Sequence, residues 1–171
     1  MSDSTTPVTT RENWASWSAE VCATLMFIVE EDRILLIRKK RGIGAGKING
    51  PGGKIDPGET PLEAAVRETQ EELCITPLNP RKLGELWFSM SDSPHLLCHV
   101  YRADIFLGTP AETEEAVPLW FPLDSIPYHE MWEDDIHWLP LLLEETPFFG
   151  KFIFDCDSLK AKDIQTVQGW E

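Results

Sequence analysis

Glu68, Glu71 and Glu72 fall in the segment GGKIDPGETPLEAAVRETQEELCI, residues 52–75, of a chain whose formal net charge is already −14. At about 100° per residue, a helix gathers these three carboxylates into a quarter to a third of its circumference. Glu68 and Glu72 stand at i and i+4, where like charges destabilise a helix by a few tenths of a kcal/mol. Hard oxygen donors grouped this tightly suit Mg²⁺ or Mn²⁺ bridged to a phosphorylated ligand. Taken alone, the E-x-x-E-E spacing is equally compatible with a solvated acidic face.

The elements that must position these residues are legible around them. Thr60 is a good N-cap, Pro61 suits the first helical position, and Glu63 completes a T-x-x-E capping box. Leu62, Val66, Thr69 and Leu73 follow helical spacing and predict the buried stripe. Before this helix, residues 41–58 hold seven of the chain's eleven glycines and two prolines, which predicts a loop. VCATLMFIV and RILLIRK, separated by a charged turn, read as two strands. GELWFSM, HLLCHVYRADIF and VPLWFPL read as further strands, MWEDDIHWLPLLLEE as a second amphipathic helix, and KFIF as a last strand. Strands mixed with two helices predict an α/β fold, a sheet with helices on its faces.

Length and composition bound the rest. The 171 residues, 42% hydrophobic and 26% charged, fit a flexible polar tail over residues 1–19 and a single domain over 20–171. The acidity argues against a nucleic-acid polymer as partner, since such proteins carry a basic footprint. No apolar run approaches the roughly 20 residues needed to span a bilayer. The first twenty residues lack the basic start and apolar core of a signal peptide. Cys22, Cys74, Cys98 and Cys156 are scattered without a C-x-x-C pair and read as reduced, partly buried thiols of a cytoplasmic protein. His95, Cys98 and His99 cannot all face one way on a strand, so zinc is not expected. RKKRGIGAGK fails the phosphate-loop spacing G-x-x-x-x-G-K-[ST]. Lys39 is the residue of that cluster best placed to draw in a triphosphate, and Lys40, Arg41 and Lys47 read as solvated surface.

The run from Gly53 through Glu59, Arg67-Glu68 and Glu71-Glu72 to Ile75 resembles the signature of the Nudix hydrolases. Thr69 stands where that signature has an aliphatic residue, and Cys74 where it has a helix-ending glycine; Cys74 therefore predicts a helix end without a left-handed residue. The resemblance implies a mixed sheet sandwiched between helices and hydrolysis of a nucleoside diphosphate linked to another moiety. It implies Glu68, Glu71 and Glu72 as Mg²⁺ ligands with the carbonyl of Gly52, and Glu59 and Arg67 as structural. KKRGIGAGKINGPGGK, HVYRAD, WFPLDSIP and MWEDDIHWLPLLL further resemble the oxidised purine nucleoside triphosphatases among these enzymes, whose best-known activity is 8-oxo-dGTP hydrolysis.

On that likeness Thr24, Lys39, Asn49, Gly52, Gly53, Lys54, Phe88, Trp132, Asp134 and Asp135 bind substrate, and Glu115 is an additional metal-site or catalytic carboxylate. The base that activates water is Glu71 or Glu115. Physically, Asn49 offers donors and an acceptor to a purine, and Trp132 offers a stacking face. Adjacent Asp134 and Asp135, if drawn into a dry pocket, do not both stay ionised, so one donates while the other accepts. Ile43, Ile48 and Pro51 replace aromatic residues of the vertebrate-type pattern, which leaves base preference open. Other readings of the chain are a pyrophosphatase acting on ADP-ribose, dinucleoside polyphosphates or capped RNA, and a non-catalytic nucleotide sensor. A monomer is expected.

Overall fold

The computed structural model describes residues 14–170. Strands β1 (Val21–Glu30) and β2 (Arg33–Lys39) form an antiparallel hairpin at its centre. Their side chains alternate between two cores. Met26, Ile28, Leu35 and Ile37 point to one, and Phe27, Val29, Ile34 and Leu36 to the other. Burial on both faces explains why these strands read as unbroken apolar runs rather than as alternation.

The first core is covered by helix α1 (Pro61–Leu73), the second by helix α2 (Asp135–Leu143). Short strands β3 (Ile48–Asn49) and β4 (Gly52–Lys54) form inside the glycine-rich loop; β4 pairs with β1 through Thr24↔Gly53. Beyond α1 come β5 (Thr76–Leu78), β6 (Arg81–Met90), β7 (Leu96–Ala103), β8 (Ile105–Leu107) and β9 (Ala116–Pro122). A 3₁₀ turn at Tyr128–Glu130 precedes α2, and β10 (Phe148–Asp155) and β11 (Ser158–Thr166) follow it. The main sheet runs β11-β10-β6-β7-β1-β2-β3, with β4 also on β1 and β9 on β2, while β5 and β8 make a separate ribbon. β1–β7 and β10–β6 are parallel and the other pairs antiparallel, so the sheet is mixed. No helix of the described residues is long and apolar enough to cross a membrane.

Several elements differ from the sequence reading. Of the expected stripe, Thr69 and Leu73 are buried and Val66 packs partly buried against the first core, joined by buried Ala64, Ala65 and Glu72, whereas Leu62 is 41% exposed. Thr69 is fully buried, and its hydroxyl donates to the Ala65 carbonyl at 2.8 Å. The N-cap is as expected, Thr60 Oγ1 accepting from Glu63 N–H at 3.1 Å. The C-terminal end is not: Cys74 is left-handed, φ 62° and ψ 27°, and its N–H donates to the Gln70 carbonyl. The cap geometry is thus kept although a Cβ there costs about 1–2 kcal/mol.

Helix α2 starts at Asp135 rather than Met131. Trp132 lies in the irregular segment before it, and Pro140 within it removes one ladder donor. β10 is longer than KFIF, and β11 forms from a polar stretch that carries no strand signal. Cys22, Cys74 and Cys156 are exposed and only Cys98 is buried: Cys22 lies near the start of β1, Cys74 caps α1, and Cys156 lies in the turn between β10 and β11.

Candidate active site

A cavity of about 360 Å³ opens beside β1. One end is made by β4 and α1. Gly52 pairs with Leu25, and a Cβ on Gly52 would lie 1.9 Å from the Thr24 carbonyl oxygen, so only glycine allows this approach. Its N–H donates to Glu72 Oε2 at 3.0 Å. Glu72 is 5% exposed, and burial pushes its carboxyl up to about 8 against the stabilising Gly52 hydrogen bond. At Gly53 an added Cβ would fall 2.6 Å from the Glu68 carboxyl carbon, so the glycine makes the space that Glu68 occupies. Burial also raises the pKa of Glu68, opposed by Arg67.

Arg67 organises this end. It donates through Nε and Nη2 to Glu59 at 2.6 and 2.9 Å, and through Nη2 to the Lys54 carbonyl at 3.1 Å. Its Nη1 reaches Glu68 at 2.9 Å and Glu71 at 3.2 Å. The arginine holds the Glu59 carboxyl down at about 2, and Glu59 in turn raises the pKa of Arg67. Helix and glycine turn are therefore bolted in register by the Glu59–Arg67 pair.

Glu115 approaches from the loop before β9, paired with Arg41, which holds its carboxyl below the usual range. Arg41 is exposed, as expected, and is also the ion-pair partner of Glu115. Thr113 Oγ1 donates to the Glu72 carbonyl at 2.7 Å and ties this loop to the end of α1. Among the described residues no three acidic, histidine or cysteine side chains converge as metal ligands. Glu68 and Glu71 turn to Arg67, Glu72 to the Gly52 amide, and Glu115 to Arg41. The donor set nonetheless fits a hard divalent ion: carboxylate oxygens on adjacent helical turns, one of them buried with a single amide partner.

The other end of the cavity is aromatic and polar. Trp132, Phe88 and Met90 line it, with Asn49, Asp134 and Asp135. Lys47 Nζ lies 5.0 Å from the Trp132 ring centroid, and a Cβ on Gly44 would come within 3.0 Å of the indole nitrogen, so the glycine loop packs against this tryptophan. Asn49 Oδ1 accepts from Gly50 N–H at 2.8 Å, which spends part of its acceptor capacity on the loop and leaves its amide group for a ligand. Asp134 and Asp135 are each 3% exposed. Asp134 Oδ2 accepts from Trp138 Nε1 at 2.8 Å, while Asp135 Oδ2 has no partner. Burial raises both carboxyls, Asp134 to about 6 and Asp135 further, because it also faces its neighbour's charge and hydrogen-bonds to it. Burial and their mutual repulsion work against both carboxyls being ionised at once, which favours a protonated carboxyl beside an ionised one.

The structure thus brings Thr24, Lys39, Asn49, Gly52, Gly53, Lys54, Glu72, Phe88, Trp132, Asp134 and Asp135 to one cavity. Glu68, Glu71 and Glu115 do not line it but stand around its Glu72 end through the contacts above. Sequence reasoning missed Met90, Cys98 and Phe154 on the wall. Period-two alternation from Phe88 would have found Met90, whereas Phe154 comes from β10, which reaches β6 only through parallel pairing. Cys98 is buried, His99 contacts Lys82 and Glu85, and His95 lies near Trp17.

The family model for the NUDIX domain matches residues 20–142. The chain is 42% identical over 149 residues to the oxidized purine nucleoside triphosphate hydrolase of Mus musculus, covering 86% of this chain and 96% of that one. It is 46% identical over 132 residues to the protein of the same name from Danio rerio, covering 77% and 85%. Among solved structures, the mutator MutT protein of Bacillus halodurans superposes with a TM-score of 0.76 at 25% identity, covering 84% of this chain and 97% of that one.

Proposed function

Because the chain belongs to the Nudix family, we propose that it hydrolyses purine nucleoside triphosphates, oxidised ones such as 8-oxo-dGTP included, to the monophosphate and pyrophosphate. The observation that carries this reading is the single cavity joining Glu72, Gly52 and Gly53 at one end to Asn49, Trp132 and the Asp134–Asp135 pair at the other. The names of the mouse and zebrafish relatives support the same substrate class.

In this reading Trp132 stacks on the base, worth on the order of 1–3 kcal/mol. Asp135 donates its proton to an acceptor on the base edge, and Asp134 accepts from a ring N–H. Oxidation of a purine changes its pattern of donors and acceptors, and a carboxyl pair sharing one proton can meet either pattern. Lys39, on the cavity wall, draws the phosphates toward Glu72. Gly52 (through its carbonyl), Glu68, Glu71, Glu72 and Glu115 would hold Mg²⁺, with Mn²⁺ as substitute. A divalent ion bound there would polarise phosphoryl oxygens and offset the charge that develops on them. Glu71 or Glu115 takes the proton from the attacking water as the bond between the α- and β-phosphates breaks.

The acidic surface, the four free cysteines and the small cavity are in keeping with a cytoplasmic monomer acting on small nucleotides rather than on polymers or membranes. The test is a panel of nucleotides incubated with metal-free protein, with and without Mg²⁺, scoring monophosphate and pyrophosphate. ADP-ribose outpacing every purine triphosphate would move the substrate elsewhere, and tight binding without hydrolysis would leave a sensor.

A further inference from the structure

Strand alternation places Phe88 and Met90 in the cavity and Trp87, next to Phe88, on the opposite face of β6. There Trp17 stacks on Trp87 with ring centroids 4.7 Å apart and planes at 11°. Trp14 lies against both at 5.4 and 6.3 Å. Lys151 Nζ stands 5.5 Å from the Trp87 ring and 5.8 Å from Trp14.

The segment also grips the main chain behind the cavity. Trp17 Nε1 donates to the Phe88 carbonyl at 3.1 Å, so the bond ends on the residue whose ring lines the other side. Glu20 and Val21 N–H both donate to the His95 carbonyl, at 2.9 and 3.1 Å. The Glu20 carboxylate accepts from His95 N–H at 3.2 Å. His95 closes the β6–β7 turn, and Ser93, Pro94 and Leu96 around it line the cavity. Residues 14–19 precede the part of the chain that the NUDIX family model matches.

We propose that residues 14–20 position the base-binding wall: Trp17 and Glu20 hold β6 and the β6–β7 turn from outside, setting the distance between Phe88 and Trp132 across the cavity. This rests on the reading that the cavity takes a purine nucleotide. Trp17 and Glu20 themselves touch no substrate. The carboxylate end, on α1 and the Glu115 loop, shares none of these contacts, so the two ends respond separately to their loss.

The experiment uses full-length protein and two probes by titration calorimetry: dGMP, which has a base, and inorganic tripolyphosphate with Mg²⁺, which has none. Trp17→Ala is expected to weaken dGMP severalfold, with roughly tenfold as the upper bound set by the lost stack and hydrogen bond, and to leave tripolyphosphate within twofold. KM for the triphosphate rises in step while kcat holds. Trp17→Phe keeps most of the stack without the Nε1–H donor and falls between, and Glu20→Ala, which removes the acceptor for His95 N–H, shifts the same way. If Trp17→Ala does not fold, Trp17→Phe and Glu20→Ala decide. A lowered Tm with dGMP affinity unchanged would make the segment a stability clamp only and overturn the proposal. Equal weakening of both probes would also overturn it. Wild-type protein that binds dGMP but cleaves no triphosphate would refute the catalytic reading while leaving this comparison intact.

Discussion

Replacing Glu72 with glutamine should stabilise the metal-free protein, and by an amount that depends on pH. The folded carboxyl is raised to about 8 from an ordinary 4.5. The unfolded chain therefore ionises this group first, and holding it in the fold becomes unfavourable above about pH 4.5. The penalty grows with pH and levels off near pH 8. Each tenfold difference in proton affinity between folded and unfolded chain is worth about 1.4 kcal/mol. The penalty is then ~1 kcal/mol at pH 5 and ~3 kcal/mol at pH 7. Glutamine keeps an oxygen for the Gly52 amide, which lies 3.0 Å from Glu72 Oε2. Any fixed cost of its NH₂ group is the same at both pH values and cancels in the comparison. The advantage of Glu72→Gln should then widen by about 2 kcal/mol between pH 5 and pH 7, roughly 4–8 °C in Tm for a chain of this size. Thermal unfolding in EDTA at the two pH values measures it. Added Mg²⁺ should stabilise wild type and not the variant, since a ligand that binds only the folded form raises Tm. An advantage identical at both pH values would refute the claim that a buried, destabilised carboxyl stands at the centre of the site.

Cys74→Gly should raise Tm by roughly 2–4 °C, because the relief of left-handed strain exceeds the added freedom of the unfolded chain; thermal unfolding reads it. Glu71→Gln should cut turnover by at least ~100-fold if Glu71 is the base, measured by pyrophosphate release; a smaller effect transfers the role to Glu115. Asp134 and Asp135 are both raised by burial, Asp134 to about 6, so base affinity should fall as pH rises past the point where the shared proton is lost. Asp135→Asn, which keeps a donor, should flatten that profile in dGMP titrations across pH.

Where local chemistry decides the structure, the sequence is readable. Thr60, Pro61 and Glu63 start α1 through contacts within four residues, and the apolar runs of β1 and β2 need burial on both faces. Glu59 and Arg67 have the structural role expected of them, and their two hydrogen bonds lock turn to helix. What the sequence hides depends on partners distant in the chain. Arg41 looks like one more exposed cation until the fold brings Glu115, 74 residues away, against it. β11 is polar and lies at the sheet's edge, so its pairing with β10 leaves little hydrophobic trace. Cys74 misleads for a different reason: residue preference argues against a left-handed cap there, and tertiary packing of the helix end outweighs that preference.

The most direct test is product analysis of 8-oxo-dGTP and dGTP incubated with metal-free protein, then with Mg²⁺. The expected result is no turnover without the ion and, with it, one monophosphate and one pyrophosphate per substrate consumed, abolished by Glu68→Gln with Glu72→Gln. Release of inorganic phosphate instead, or undiminished turnover in EDTA or in the double variant, would contradict it.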